Sequence, residues 1–260
     1  MQGYLGSMAW MLERVTGISL PERTTDDDLV QLAAFKDIEA LGLDNTQITD
    51  AGMVQLRGLR RLEDLSLSNT RITDAGLVSI KGLTGLKDLR LGNTGITDAG
   101  LMQIKELPWL VGLGLNETKV TDAGMIHLLH LERLQWLSLN GTQITDAGLG
   151  YVKNLKGLQS LYLNHTQVTD AGLFQIKELN GLQELDLWDT KITDAGLIQI
   201  KELPSLREIW LDDTKITDAG LVSLKEFKGF VTIHLNRTKV TEEGVKDLKA
   251  ALPRASILGR

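Results

Sequence analysis

Hydrophobic positions recur along this chain in two alternating rhythms. Leu65 and Leu67 face one way and Ser66 the other, the period-two pattern of a β-strand, with Leu62 leading in. Leu77, Ile80 and Leu83 then follow at helical spacing. Thr73 is placed to cap that helix, Asp74 complements its dipole, and Lys81 lies near its C-terminal end. The strand frame returns at Leu86/Leu89/Leu91, Leu158/Leu161/Leu163, Leu182/Leu185/Leu187, Leu206/Ile209/Leu211 and Phe230/Ile233/Leu235. So short a helix does not persist alone, and each strand-and-helix unit must pack on copies of itself.

The copies keep a strict register. Thr-Asp-Ala-Gly begins at Thr49, Thr73, Thr97, Thr121, Thr145, Thr169, Thr193 and Thr217, every 24 residues. A degenerate copy, Thr-Glu-Glu-Gly, starts at Thr241, and Thr25 opens Thr-Asp-Asp-Asp-Leu. Strands that all run one way stack ~4.8 Å apart, whereas packed helices need ~8–10 Å. That mismatch predicts an α/β solenoid, a horseshoe with a concave parallel sheet and convex short helices. Residues 25–250 form the solenoid, about nine full repeats. Residues 1–24 are expected to supply a capping helix over Ser7–Gly17, with Trp10, Met11 and Val15, and an irregular first strand with Ile18 and Leu20. Residues 251–260 are expected to close the core as a partial repeat.

These residues resemble leucine-rich repeats, whose strand signature is LxxLxLxxN. The Thr-Asp-Ala-Gly-Leu phase resembles bacterial TDAGL-type repeats and is similar to the ribonuclease-inhibitor-like and cysteine-containing groups. The resemblance implies a curved solenoid that binds another macromolecule, usually on its concave sheet, and names no ligand. One departure is regular: the turn position usually held by Asn is Thr, from Thr46 and Thr70 through Thr214 and Thr238. These hydroxyls are expected to form a structural ladder, donating to a neighbouring repeat's carbonyl.

Composition narrows the partner. The net charge of −6 disfavours nucleic acid and anionic membranes, and no run of ~18 apolar residues is present to span a bilayer. Without cysteine there is neither a disulfide nor a thiolate metal site. Met1–Leu20 lacks a basic leader and carries Glu13 and Arg14 in its most apolar part, which points to a cytoplasmic chain. Secretion with a removed leader stays open, as does an engineered junction at Gly6-Ser7-Met8.

No catalytic residue, metal site or cofactor is expected. The aspartate row Asp50 to Asp218 places one carboxylate per helix, too sparse for calcium's six to eight oxygens, and reads as helix capping. His127 and His130 share a helix face without a third ligand beside them. The informative positions are those where repeats differ. Outward strand positions are small or plain early in the chain, as at Gly42, Ser66, Gly112 and Gly114. From the fifth full strand onward they carry Trp136, Tyr162, His165, Trp188, Trp210 and His234. Glu184, Asp186, Asp189, Glu208, Asp212 and Asp213 are interleaved with them. Such aromatics lack a core to pack into, and tryptophan and tyrosine are enriched at interface hot spots.

The expected site is therefore Trp136, Tyr162, His165, Glu184, Asp186, Trp188, Glu208, Trp210, Asp212 and His234, binding a protein or peptide that the acidic surround would favour if basic. Two other readings stand beside this one. The chain could be a structural or assembly scaffold, natural or a consensus-like engineered array. Alternatively, the tryptophans could be stacking platforms for a carbohydrate or small ligand. On the helical side, Leu129 interrupts the basic row of Arg57, Lys81, Lys105 and their successors, and with Trp109 it marks a candidate patch for weak self-association.

Overall fold

Each 24-residue unit contributes one three-residue strand, and the strands pair side by side in chain order. A computed structural model of the chain describes residues 16–227, 229 and 231–259. Its sheet runs β1 (Gly17–Ser19), β2 (Ala40–Gly42), β3 (Asp64–Ser66), β4 (Asp88–Arg90), β5 (Gly112–Gly114) and β6 (Trp136–Ser138). It continues through β7 (Ser160–Tyr162), β8 (Glu184–Asp186), β9 (Glu208–Trp210), β10 (Thr232–His234) and β11 (Ser256–Leu258). All pairs are parallel. Leu65 faces Leu89 and Leu161 faces Leu185, a shift of 24, while Gly17 faces Ala40, so the first unit is one residue shorter. The capping helix expected over Ser7–Gly17 lies outside the described residues up to residue 15, and Gly17 itself belongs to a strand.

The return segments are α1 (Asp74–Leu77), α2 (Asp98–Ile104), α3 (Asp146–Val152), α4 (Asp170–Ile176), α5 (Asp194–Ile200), α6 (Asp218–Lys225) and α7 (Glu242–Ala251). The segments Asp28–Ala34, Gly52–Gly58, Val78–Ile80 and Asp122–His130 wind as the tighter 3₁₀ helix instead. Between sheet and helices runs a single aliphatic slab. Leu62, Leu67, Ile72, Leu77, Ile80 and Leu83 are wholly buried, and their equivalents repeat along the stack. The result is an open solenoid with the sheet concave and the helices convex.

Two polar ladders recur along the stack: the turn threonines bond within a repeat, and the aspartates bond between repeats. The turn threonines donate within their own repeat: Thr70 Oγ1 to the Leu67 carbonyl at 2.6 Å, and Thr94 Oγ1 to that of Leu91 at 2.6 Å. The expected bond to a neighbouring repeat is thus corrected, because the residue before each threonine turns the chain sharply back. Asn69 (φ 57°), Glu117 (φ 55°), His165 (φ 54°) and Arg237 (φ 56°) all occupy the left-handed region there.

Cross-repeat bonding falls to the aspartates. Asp122 accepts from the Thr145 backbone N–H at 2.8 Å and from its hydroxyl at 2.6 Å, and Asp146 does the same for Thr169. The Thr145 hydroxyl in turn accepts from the Ala147 N–H at 3.2 Å, capping α3 as expected. The glycine completes the motif. A Cβ on Gly148 would lie 2.5 Å from Asp122 Oδ1, and the equivalent clash recurs at Gly76, Gly100, Gly172 and Gly196. Thr-Asp-Ala-Gly is therefore a cap, a clasp to the next repeat, an exposed spacer and the space that receives the previous repeat's clasp.

Candidate binding surface

Side chains at the first and third position of each strand project into the concave face, because the central residue enters the core. In β5 both positions are glycine, Gly112 and Gly114, and this leaves room for the site beside it. The Trp136 indole lies over β5, where a Cβ on Gly114 would come within 3.2 Å of the ring. From there an aromatic path crosses the sheet. Trp136 and Tyr162 have centroids 6.0 Å apart at 56°, Tyr162 and Trp210 6.2 Å at 46°, and Trp210 stacks on His234 at 5.2 Å and 22°. All four are half-buried.

Tyr162 and Trp210 stand two strands apart, with Asp186 in register between them. Their rings lean together across it and leave Asp186 only 8% exposed. That burial raises the Asp186 carboxyl above the usual carboxylate range, although bonds from the Trp188 N–H at 3.0 Å and the Asn164 amide at 2.6 Å oppose the shift. Asp212, also 8% exposed, accepts from the backbone N–H of Asn236 at 2.9 Å. Both carboxylates tie one repeat to the next and offer little surface to a ligand.

Glu184 and Glu208 behave differently. They are register partners on adjacent strands, half-buried beside the aromatic path. Glu184 accepts a short hydrogen bond from the Tyr162 hydroxyl, and His234 Nε2 lies 3.4 Å from Glu208 Oε1. Burial first, and the Glu184 bond second, push the Tyr162 hydroxyl up to about 12. Among the described residues, neither glutamate forms an ion pair with lysine or arginine. Like charges directly opposite each other on a sheet repel.

His165 and Trp188, which the alternation places on the same surface, lie beyond the strand ends on the rim. They form a separate pair with centroids 4.6 Å apart. His165 Nδ1 is 2.7 Å from Asp189 Oδ2, and the Trp188 indole N–H donates to Asp213. The Arg237 guanidinium, together with that indole, holds the Asp213 carboxyl down to about 2. Acid on the rim is thus largely paired within the protein, and the uncompensated acid sits on the strands. Strand spacing could not reveal this split, because each strand ends two residues before the Trp188-type position.

On the opposite face Trp109 is 49% exposed, with the Arg133 guanidinium 4.0 Å from its ring centroid, and Leu129 is 37% exposed. No helix among the described residues is long and apolar enough to cross a membrane.

An open parallel sheet returned by short helices, with LxxLxL strands and capped TDAG turns, defines a leucine-rich-repeat solenoid. Family models agree: one described as leucine-rich repeats (two copies) matches residues 180–226, and one described as a leucine-rich repeat matches residues 59–81. Among solved structures, the chain is similar to internalin C2 of Listeria monocytogenes, at 26% identity and TM-score 0.62, covering 80% of this chain and 84% of that one. It shares its fold with the internalin inlF of the same organism, at 20% identity and TM-score 0.54, covering 96% and 88% of the two chains. A plant peptide hormone receptor, RGFR1, solved in complex with RGF2, shares the fold at 17% identity and TM-score 0.55, covering 89% of this chain and 41% of the receptor. No curated protein matches the chain in sequence.

Proposed function

We propose that the chain is a non-enzymatic interaction module that docks a basic protein segment or peptide on the concave face of its C-terminal half. The observation that carries the reading is the aromatic path from Trp136 to His234, bordered by Glu184 and Glu208 with no lysine or arginine paired to them among the described residues. Half-buried aromatics offer large contact area at little entropic cost, and an arginine or lysine stacked on them gains cation–π attraction. The same cation would relieve the repulsion between Glu184 and Glu208. Trp188 and His165 extend this surface at the rim, while Asp186 and Asp212 support it from below.

The test is selection from a displayed random-peptide library, followed by titration of the enriched peptides. Arginine- and lysine-rich sequences are expected, with binding lost in Trp136→Ala/Trp210→Ala and in Glu184→Lys/Glu208→Lys while the thermal melt stays near that of the parent. Enrichment of acidic peptides, or undiminished binding to both variants, defeats the proposal. A glycan array with the same variants addresses the carbohydrate reading.

A further inference from the structure

Every helical segment but one, from the second repeat to α6, turns one large apolar side chain toward solvent at the same repeat position. Val54, Val78, Met102, Ile126, Phe174 and Ile198 belong to this row, each between 44% and 52% exposed. The exception is Gly150, with open space beside it. No core periodicity requires apolar residues there, since the same segments already bury their inward faces. A continuous exposed apolar strip longer than a few hundred Å² marks an interaction surface.

The flanks of the strip identify what covers it. Four residues before each apolar rung stands the clasp aspartate, half-exposed, as Asp74 does before Val78. Three residues after most rungs stands an exposed cation, as at Lys81, Lys105 and Lys201, and Lys153 keeps that place behind Gly150. None of these four lysines forms an ion pair within the described chain. One face thus displays an acidic row, an apolar row and a basic row, evenly spaced. Turned by a two-fold axis along the solenoid, a second copy runs its helices antiparallel and lays its basic row over the first copy's acidic row. The surface is self-complementary, as an isologous interface must be.

We propose that the convex apolar strip is a homodimer interface, joining two copies of this chain with their helical segments antiparallel. Convex surfaces approach most closely near the middle, around Ile126. There the basic row is replaced by Leu129, sparing a lysine the desolvation that closest approach would impose. Four or five rungs in contact, each leaving on the order of 100 Å² exposed, give about 400–500 Å² per copy, below the range of stable dimers and within that of weak, transient ones. The dimer is accordingly reversible. The inference is independent of the concave face, which stays open on both copies.

Sedimentation of the chain between about 5 µM and about 500 µM tests this, with the mean mass expected to rise from 28.6 kDa toward twice that value. Ile126→Lys and Leu129→Lys, both at exposed positions, should each weaken association at least about tenfold. Lys81→Glu/Lys105→Glu/Lys153→Glu should weaken it too and flatten its salt dependence. A chain that stays monomeric throughout overturns the proposal, because some other occupant would then be needed for the strip. So does association unchanged by Ile126→Lys, or association lost instead in Trp136→Ala/Trp210→Ala.

Discussion

Gly148 and Gly150 lie two residues apart in α3, and alanine at these positions is expected to change stability in opposite directions. Both sit in a helix, where alanine is favoured over glycine by about 1 kcal/mol. Nothing lies within 4 Å of a Cβ on Gly150, so Gly150→Ala should keep most of that gain. At Gly148 the new methyl falls 2.5 Å from Asp122 Oδ1 and 3.1 Å from the Ile144 side chain. The carboxylate must swing away, and it then loses bonds from Thr145 N (2.8 Å), Thr145 Oγ1 (2.6 Å) and Gly148 N (3.0 Å). Bonds to a charged acceptor contribute ~1.5–3 kcal/mol each, but water replaces part of this at a half-exposed clasp, so its net worth is about 2–3 kcal/mol. Against the helix gain, Gly148→Ala should destabilise by about 1–2 kcal/mol.

Urea unfolding followed by far-ultraviolet circular dichroism measures both variants. The decisive arm repeats Gly148→Ala in an Asp122→Ala background, where the carboxylate is gone. There the penalty should shrink by at least about 1 kcal/mol, a coupling that additive sites do not show. Equal effects of Gly148→Ala and Gly150→Ala, or a penalty that persists in full without Asp122, would refute the clasp as the reason for the motif's glycine.

Other outcomes follow from the same geometry. Thr145→Val removes both the hydroxyl donor to Asp122 and the cap on Ala147, and should destabilise by about 1–2 kcal/mol, whereas Thr145→Ser should be nearly silent; chemical denaturation distinguishes them. The Tyr162 phenol, raised to about 12, favours the neutral form in the folded chain. Its contribution is complete below about 10 and lost as pH rises through 12, and Glu184→Gln should lower the titration midpoint seen by ultraviolet absorbance. Asp213 shifts the other way: held near 2, it stabilises the rim above about 4, and that contribution fades as pH falls toward 2. Carboxyl NMR should show its midpoint rising in Arg237→Ala, and an unmoved midpoint would remove Arg237 as the cause.

Periodicity alone carries the solenoid, its core and its caps. Burial of Leu62, Leu67, Leu77 and Ile80, and the Thr73 cap on α1, are local or face-level facts that spacing encodes directly. Hydrogen-bond partners across repeats are not encoded that way. The 24-residue register brings Asp122 to Thr145 rather than leaving it to its own helix, and the left-handed turn aims the Thr70 hydroxyl at its own repeat's carbonyl. The candidate surface divides along the same line. Trp136, Tyr162, Trp210 and His234 could be placed by alternation because they sit on strands. The rim position of Trp188 and His165, the burial of Asp186 and the pairing of Asp213 with Arg237 depend on where each three-residue strand stops and the chain turns. Local pattern determines which residues are inside. Only stacking one repeat on the next determines which polar groups meet and which charges remain for a partner.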